Sequence, residues 1–334
     1  MMKRWMAMGM ALCLTAASLA GCSGTKDAAE STQAEAETSA EEETAKESDL
    51  DKLTFTYVTS PLNVPTIIEK NQGIFEKTFG DMGIEVDYAE LTSDQTQALA
   101  SGDVQVLYAV GGTSVILSAA NGADIKVLNM YSRSPKAFCM YSKDESLTTP
   151  ESLRGKTIAG PTGTNLHELL VSYLATAGMT IDDVNYVNMS IPDAKAGLDG
   201  GSVDVALVAG ATAYNAGQQG YHLVADGEGL IKAIIAVAVT QKFYDEHPEI
   251  IEKLEEAQTE IADFMEEKSD ETMQIVADEL DLDTDAVRSM YDLYDFSTEI
   301  TDDDKEGFQK TADFMYESGM IDEAFDVKQL FIEK

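Results

Sequence analysis

The segment AGPTGTNLHELL, residues 159–170, ends a short apolar strand, turns through glycine and small polar side chains, and enters a helix. Beyond the turn Leu166, Leu169, Leu170, Tyr173, Leu174 and Ala177 recur at helical spacing, and Gly178 is placed to end the run. A strand that passes directly into an amphipathic helix is the building unit of an α/β sheet. His167 lies one residue round from the apolar stripe, so it is not simply part of the core face. The turn lacks the Gly-Lys-Ser/Thr ending of a phosphate-binding loop. No Gly-x-Ser-x-Gly motif is present, and His222 and His247 have no metal-ligand spacing to His167. What Thr162, Gly163, Thr164 and Asn165 do supply is a set of N–H groups and small donors at a positive helix end, which suits a carboxylate, a sulfonate or another oxyanion. Thr162 or Thr164 also reads as an ordinary N-cap, and capping does not exclude ligand contact. A helix start disfavours a protonated imidazole, so His167 is expected neutral, either touching a ligand or making a structural hydrogen bond.

The same alternation runs outward from this unit. Short apolar runs predict strands near 53–58, 84–89, 104–108, 125–131, 137–141, 157–159, 184–188, 203–208, 221–224 and 233–239, with helices such as 64–75 and 113–120 between them. After Gln241 the pattern is helical only, with Pro248 at a helix start. With 334 residues, 44% of them hydrophobic, the chain can bury a large core, and that length suggests two domains. The 60 acidic against 23 basic residues give a formal charge of −37, which argues against nucleic-acid binding, since phosphate recognition needs clustered cations.

The N-terminus sets the compartment. Lys3 and Arg4 precede an apolar run, residues 5–19, that is short for a bilayer span and is flanked as a secretory signal is. Leu19-Ala20-Gly21-Cys22 resembles the lipobox of bacterial lipoproteins, which implies a signal peptide over 1–21 and a diacylglycerol on Cys22. Two acyl chains give stable anchoring where one is marginal. Residues 22–51, rich in Ala, Glu, Ser and Thr and without an aromatic, read as a disordered acidic tether. Of Cys13, Cys22 and Cys139, only Cys139 then stays unmodified, so no internal disulfide is available, and Cys139 reads as a small buried hydrophobe.

Further stretches fall into a recognisable series. They are Pro61-Leu62-Asn63-Val64-Pro65, Asn71-Gln72-Gly73-Ile74-Phe75-Glu76, Ala98-Leu99-Ala100-Ser101-Gly102-Asp103-Val104, and Ala119-Ala120-Asn121-Gly122-Ala123-Asp124-Ile125. Leu153-Arg154-Gly155-Lys156-Thr157-Ile158-Ala159, Ile191-Pro192-Asp193-Ala194 and Gly201-Ser202-Val203-Asp204-Val205 complete it. In this order the chain resembles the periplasmic-type solute-binding proteins of aliphatic-sulfonate, nitrate, taurine and thiamine-precursor transporters. The resemblance implies an α/β, two-lobed periplasmic-binding-protein fold (a Venus flytrap), each lobe a mixed sheet flanked by helices. Lobe 1 is expected over 52–142 plus 241–334 and lobe 2 over 143–240. It implies a monomer that closes on a small polar, anionic or zwitterionic ligand outside the cytoplasmic membrane and passes it to an ABC permease and ATPase. It implies no catalysis, cofactor or metal. The rivals are a pyrimidine-precursor synthase on the same fold, which in the family goes with a cysteine-rich iron site, and a ligand-sensing receptor component.

Ligands of open α/β sheets settle beyond the carboxyl ends of strands. That rule selects residues 60–64, 110–114, 132–135 and 162–167, and within them Pro61, Leu62, Asn63, Gly112, Thr113, Arg133, Ser134, Thr162, Gly163, Thr164, Asn165 and His167 as candidate ligand contacts. Arg133 and Lys136 are the local cations, for an oxyanion or as solvated loop charges, and Asp193 either caps its helix or reaches the ligand. Where family members often carry Trp-Glu/Asp-Pro-Tyr, this chain has Ala209-Gly210-Ala211-Thr212, and its single Trp is Trp5 in the signal. Gly210 therefore joins the candidates as a roomier position. The missing aromatic wall and carboxylate argue against amine ligands such as taurine and against stacked pyrimidines.

Overall fold

The computed structural model describes residues 50–91 and 94–332; the expected signal, Cys22 and nearly all of the expected tether lie outside them. The described residues belong to one compact unit. In chain order its strands are β1 (Lys52–Thr56), β2 (Glu85–Ala89), β3 (Leu107–Gly111), β4 (Lys126–Arg133), β5 (Phe138–Ser142), β6 (Thr157–Gly160), β7 (Asn185–Asn188), β8 (Val205–Ala209), β9 (His222–Asp226) and β10 (Ile234–Val239). β1 pairs in parallel with β2, and a bridge between Phe55 and Val106 ties β1 to the segment entering β3. β10 lies between β3 and β4, antiparallel to both. The remaining five form a mixed sheet in the order β7-β6-β8-β5-β9. The mixed α/β reading holds, and the physical reason is visible in the central strands. β8 (VALVA) and β10 (IIAVAV) are buried at every position, as strands covered on both faces must be.

The strand pairing does not follow the expected lobe boundaries. β5, expected on the lobe 1 side of a boundary at 142, hydrogen-bonds to β8 and β9; β10, expected in lobe 2, sits between β3 and β4. The chain therefore passes between the two larger sheets at 134–137 and again at 227–233. β10 is apolar throughout and β5 (FCMYS) is buried at four of its five positions, so neither carries a mark of which sheet will receive it.

Helices complete both layers. Pro248–Glu267 and Ser269–Leu280 bury Ile250, Leu254, Ile261 and Val276 in one cluster with Phe55, Phe75 and Phe79. Asp302–Glu317 buries Phe308, Ala312 and Met315 with Val115, Ile116 and Ala236. Asn165–Ala175 buries Leu166, Leu169, Leu170 and Leu174 against Val205 and Leu207, as the helical spacing requires. Fully burying one such leucine contributes about 1.5–3 kcal/mol. Among the described residues no helix is long and apolar enough to cross a membrane.

Candidate functional site: a cleft between helix starts

A cavity of about 250 Å³ opens where the chain leaves β1, β3 and β6 at their carboxyl ends. Ser60, Pro61, Gly111, Thr113 and Ser114 line one side, and Phe138, Thr164 and Asn165 line the other. The helix Gly112–Ala120 starts here straight out of β3, and no side chain caps it. Gly111, at its N-cap, has no side chain with which to accept from the first-turn N–H groups, which no helix can satisfy internally. Opposite, Thr164 caps Asn165–Ala175 by accepting from Leu166 N at 3.3 Å, while its own hydroxyl donates to Pro161 O at 2.9 Å. The two helix starts meet across the cleft: Thr113 Oγ1 donates to Asn165 Oδ1 at 2.7 Å, both residues being buried.

The backbone of the cleft wall is strained. Ala109, in β3, has φ +79, and opposite it the pairing jumps from Ala236–Val110 to Val237–Tyr108, so Ala109 is the extra residue of a bulge. A left-handed alanine costs about 1–3 kcal/mol, and such residues persist where the surrounding structure over-determines them. Gly112, in contrast, is a packing glycine: a Cβ there would lie 3.2 Å from Phe308 Cε1 and 3.3 Å from Ile234 O.

Not every residue singled out from the sequence reaches this cleft. Leu62 is fully buried in the β1 core, because the turn that points Pro61 outward points its neighbour inward. Asn63 lines the cleft, but its amide donates to Val58 O at 2.7 Å and Ser60 O at 3.2 Å, fixing the loop. Arg133 points elsewhere. Its Nε and Nη2 reach the two carboxylate oxygens of Asp304 at 2.5 and 2.6 Å, and the same guanidinium donates to the carbonyls of Ser297 and Glu299. Burial opposes ionisation of Asp304, but the hydrogen bonds from Arg133 and Thr301 hold its carboxyl below the usual range. Ser134 is fully buried outside the cleft lining, and its carbonyl accepts from Ala137 N at 3.0 Å. Thr162 is exposed, and its N–H donates to Asn188 Oδ1 at 3.0 Å.

Gly163, at φ +74, turns its N–H back to His167 Nδ1 at 3.4 Å. His167 is buried, stacks on Tyr186 with ring centroids 4.9 Å apart, and has its pKa lowered by that burial. Accepting at Nδ1, it is the neutral Nε2–H tautomer. Lys136 pairs with Glu228 at 2.8 Å, and Ser190 Oγ bonds Asp193 at 2.6 Å in a helix cap. Gly210 begins the helix Gly210–Gln218 against the backbone of Pro61.

Among the described residues lining the cleft none is a Lys, Arg or His; Asp94, with Gln95 and Thr96 beside it, contributes the one acidic group. Those three, from the turn after β2, escaped the sequence reading, although the strand-end rule applied to β2 points at them. Phe138 and Ile235 escaped it because they follow the two passages between sheets. Cys139 lines a different cavity of about 260 Å³, beside Tyr141 and Asp226, and burial pushes its thiol up to about 12. No group of three or more His, Cys, Asp or Glu placed to hold a metal occurs among the described residues.

The family described as "NMT1/THI5 like" matches residues 63–272. A "Putative aliphatic sulfonates-binding protein" of Bacillus subtilis is 27% identical over 280 residues, covering 81% of this chain and 84% of that protein. The alkanesulfonate-binding protein SsuA of Xanthomonas axonopodis pv. citri, solved bound to MOPS, superposes with a TM-score of 0.76 at 19% identity, over 85% of this chain and 99% of that one. The desulfurization enzyme DSZB superposes with a TM-score of 0.65 at 17% identity, over 85% and 97%. At such identities the superpositions establish the periplasmic-binding-protein fold.

Proposed function

The chain belongs to the NMT1/THI5-like family, and on that footing we propose that it is the solute-binding component of an ABC importer, lipid-anchored through Cys22 outside the cytoplasmic membrane. Its ligand is a small anionic or zwitterionic organic molecule, an alkanesulfonate foremost, with nitrate-like anions and thiamine precursors as the other candidates. One lobe surrounds β1, β2, β3, β10 and β4 with the C-terminal helices, and the other surrounds the five-stranded sheet. Monomeric, they close over the cleft and present the ligand to a permease with its ATPase.

The observation that carries this reading is the uncapped helix start at Gly112–Ser114 facing Asn165 across the cleft. Helix N-termini attract anions through their free N–H groups and dipole. A sulfonate is a permanent monoanion that only accepts hydrogen bonds, so it matches the N–H, hydroxyl and amide donors at Gly112–Ser114 and Asn165, on a lining whose one described acidic group is Asp94. Val58, Pro61, Phe138 and Ile235 give the same cleft an apolar wall for a hydrocarbon tail.

The test is a thermal-shift series on the mature chain carrying Cys22→Ala, which blocks acylation, with methanesulfonate, ethanesulfonate, taurine, nitrate, acetate and a pyrimidine precursor. A ligand that binds only the native state at one hundred times its Kd adds about 2.7 kcal/mol, which raises the melting temperature visibly. Sulfonates should give the largest rise, and the rise should vanish in a Ser114→Ala, Asn165→Ala double variant. No rise with any of the six overturns the anion-binding reading. Consumption of any of them by the isolated protein overturns the binding-protein reading in favour of an enzyme.

A further inference from the structure

We propose that the cavity around Cys139 and Tyr141 is a second ligand site, separate from the cleft, and that it takes a small organic ammonium ion. No described residue lines both spaces. The chain passes between the two larger sheets at 134–137 and 227–233, and this cavity of about 260 Å³ borders both passages, through Lys136 and Ala137 at the first and Asp226 just before the second. The passages are tied to each other: Gly227 N donates to Pro135 O at 3.2 Å and to Phe138 O at 3.1 Å. Met290, Leu293 and Tyr294, in and after the helix Thr284–Tyr291, form the remaining wall.

The sequence explains the space and its chemistry. Gly210, Ala213 and Gly217 recur at helical spacing along Gly210–Gln218, so the helix turns a face almost without side chains to the cavity. A Cβ on Gly217 would lie 3.1 Å from the Tyr141 hydroxyl oxygen, so glycine there leaves that ring its room. On the facing sheet Cys139 and Asp226 are partners across β5 and β9 and project to one side, as does Tyr141 two residues along. Burial raises the Cys139 thiol and the Tyr141 hydroxyl, and the Asp226 charge adds to both, which puts that carboxylate against the cavity wall. Tyr141, Tyr214 and Tyr294 supply aromatic rings, whose negative faces attract ammonium groups. Lys136 is the one cation among the described lining residues, and Glu228 holds its ammonium at 2.8 Å. Asp226 and Glu228 against one lysine leave the mouth net negative, which disfavours an oxyanion. Asp226 is also the one carboxylate among the described lining residues, too few oxygen ligands for a metal ion. An apolar, aromatic wall with one charge fits a small alkylated ammonium, and the volume is near the lower end of the roughly 300–1,000 Å³ of small-molecule sites.

Calorimetric titration of the mature chain carrying Cys22→Ala tests this with choline, tetramethylammonium and 3,3-dimethylbutan-1-ol, the last having choline's shape without its charge. Sodium chloride keeps the ionic strength constant, so that screening of the −37 charge is the same throughout. Choline and tetramethylammonium should bind saturably at one site, and the neutral alcohol at least tenfold more weakly. Asp226→Asn keeps an oxygen to accept from Glu228 N, a bond of 2.9 Å, and should weaken choline at least tenfold. Tyr141→Leu should weaken it at least threefold, and a cooperative melt establishes that each variant is folded. Should Asp226→Asn not fold, Tyr141→Leu and the alcohol decide. Absence of saturable binding by both cations, an alcohol as tight as choline, or choline affinity unchanged in folded Asp226→Asn overturns the inference. None of these outcomes bears on the anion-binding reading of the cleft.

Discussion

Replacing Glu168 by Gln should make the protein more stable at neutral pH than at acid pH, relative to the wild type. Glu168 is 5% exposed where the helix Asn165–Ala175 meets Asp302–Glu317, and its Oε1 accepts from Thr311 Oγ1 at 2.7 Å. Burial raises its carboxyl from the ordinary 4.5 to about 7, with the Thr311 hydrogen bond pulling the other way. Each tenfold gain in proton affinity corresponds to about 1.4 kcal/mol, so carrying the ionised carboxylate inside the fold costs about 3 kcal/mol. Below pH 4.5 the group is neutral in both states and the cost is absent. Between 4.5 and about 7 the unfolded chain releases the proton and the native state keeps it, so stability falls as pH rises; above 7 the loss is complete.

Urea unfolding of wild type and Glu168→Gln at pH 5, 6, 7 and 8 measures this as a difference of differences. The wild type should lose about 2–3 kcal/mol more than the variant between pH 5 and 8. Glu69, raised to about 8 chiefly by burial, adds a slope of the same sign to both proteins and cancels. A wild-type-to-variant gap that stays constant within about 0.5 kcal/mol over that range would refute the reasoning.

Three further outcomes follow from the site. Arg133→Ala or Asp304→Ala, each stranding a mostly buried charge, should destabilise the fold by about 3 kcal/mol in urea, yet change ethanesulfonate affinity less than threefold in calorimetry. The Arg133–Asp304 contribution should persist above the unfolded carboxylate range and disappear as pH falls through the depressed pKa of Asp304. His167→Phe should keep a ring on Tyr186 and lose only the acceptor for Gly163 N, costing about 1 kcal/mol with ligand affinity within threefold; a tenfold loss would put His167 in the cleft. Cys139 should resist a thiol reagent at pH 8 until the protein unfolds, because it is 6% exposed and its thiol is raised to about 12; native labelling at the unfolded rate contradicts that.

Local chemistry was readable and long-range pairing was not. The stripe from Leu166 to Leu174, the Thr164 cap and the apolar continuity of β8 and β10 are periodicities within a few residues, so the sequence displays them directly. The sheet that takes up β5 or β10 depends on strands far along the chain, and apolar residues do not name their partners. Arg133 looked like a ligand cation because its partner lies 171 residues away. Leu62 and Pro61 are neighbours with opposite fates, decided by the turn between β1 and the next helix. Nothing about an alanine announces the left-handed backbone of Ala109, which the bulge against β10 imposes.

That no described residue lining the cleft is a Lys, Arg or His has a kinetic side. With a formal charge of −37 the chain repels an anion at a distance, and attraction begins only within reach of the helix-start dipoles. Added salt shortens the repulsion, whose range is about 10 Å at 0.1 M, and leaves the buried contacts nearly untouched. Capture of a monoanion should then speed up with ionic strength, the reverse of an arginine-lined site. A dianion such as sulfate meets twice the repulsion on approach, so on the anion-binding reading proposed above its capture should be slower than a monoanion's and gain more from added salt.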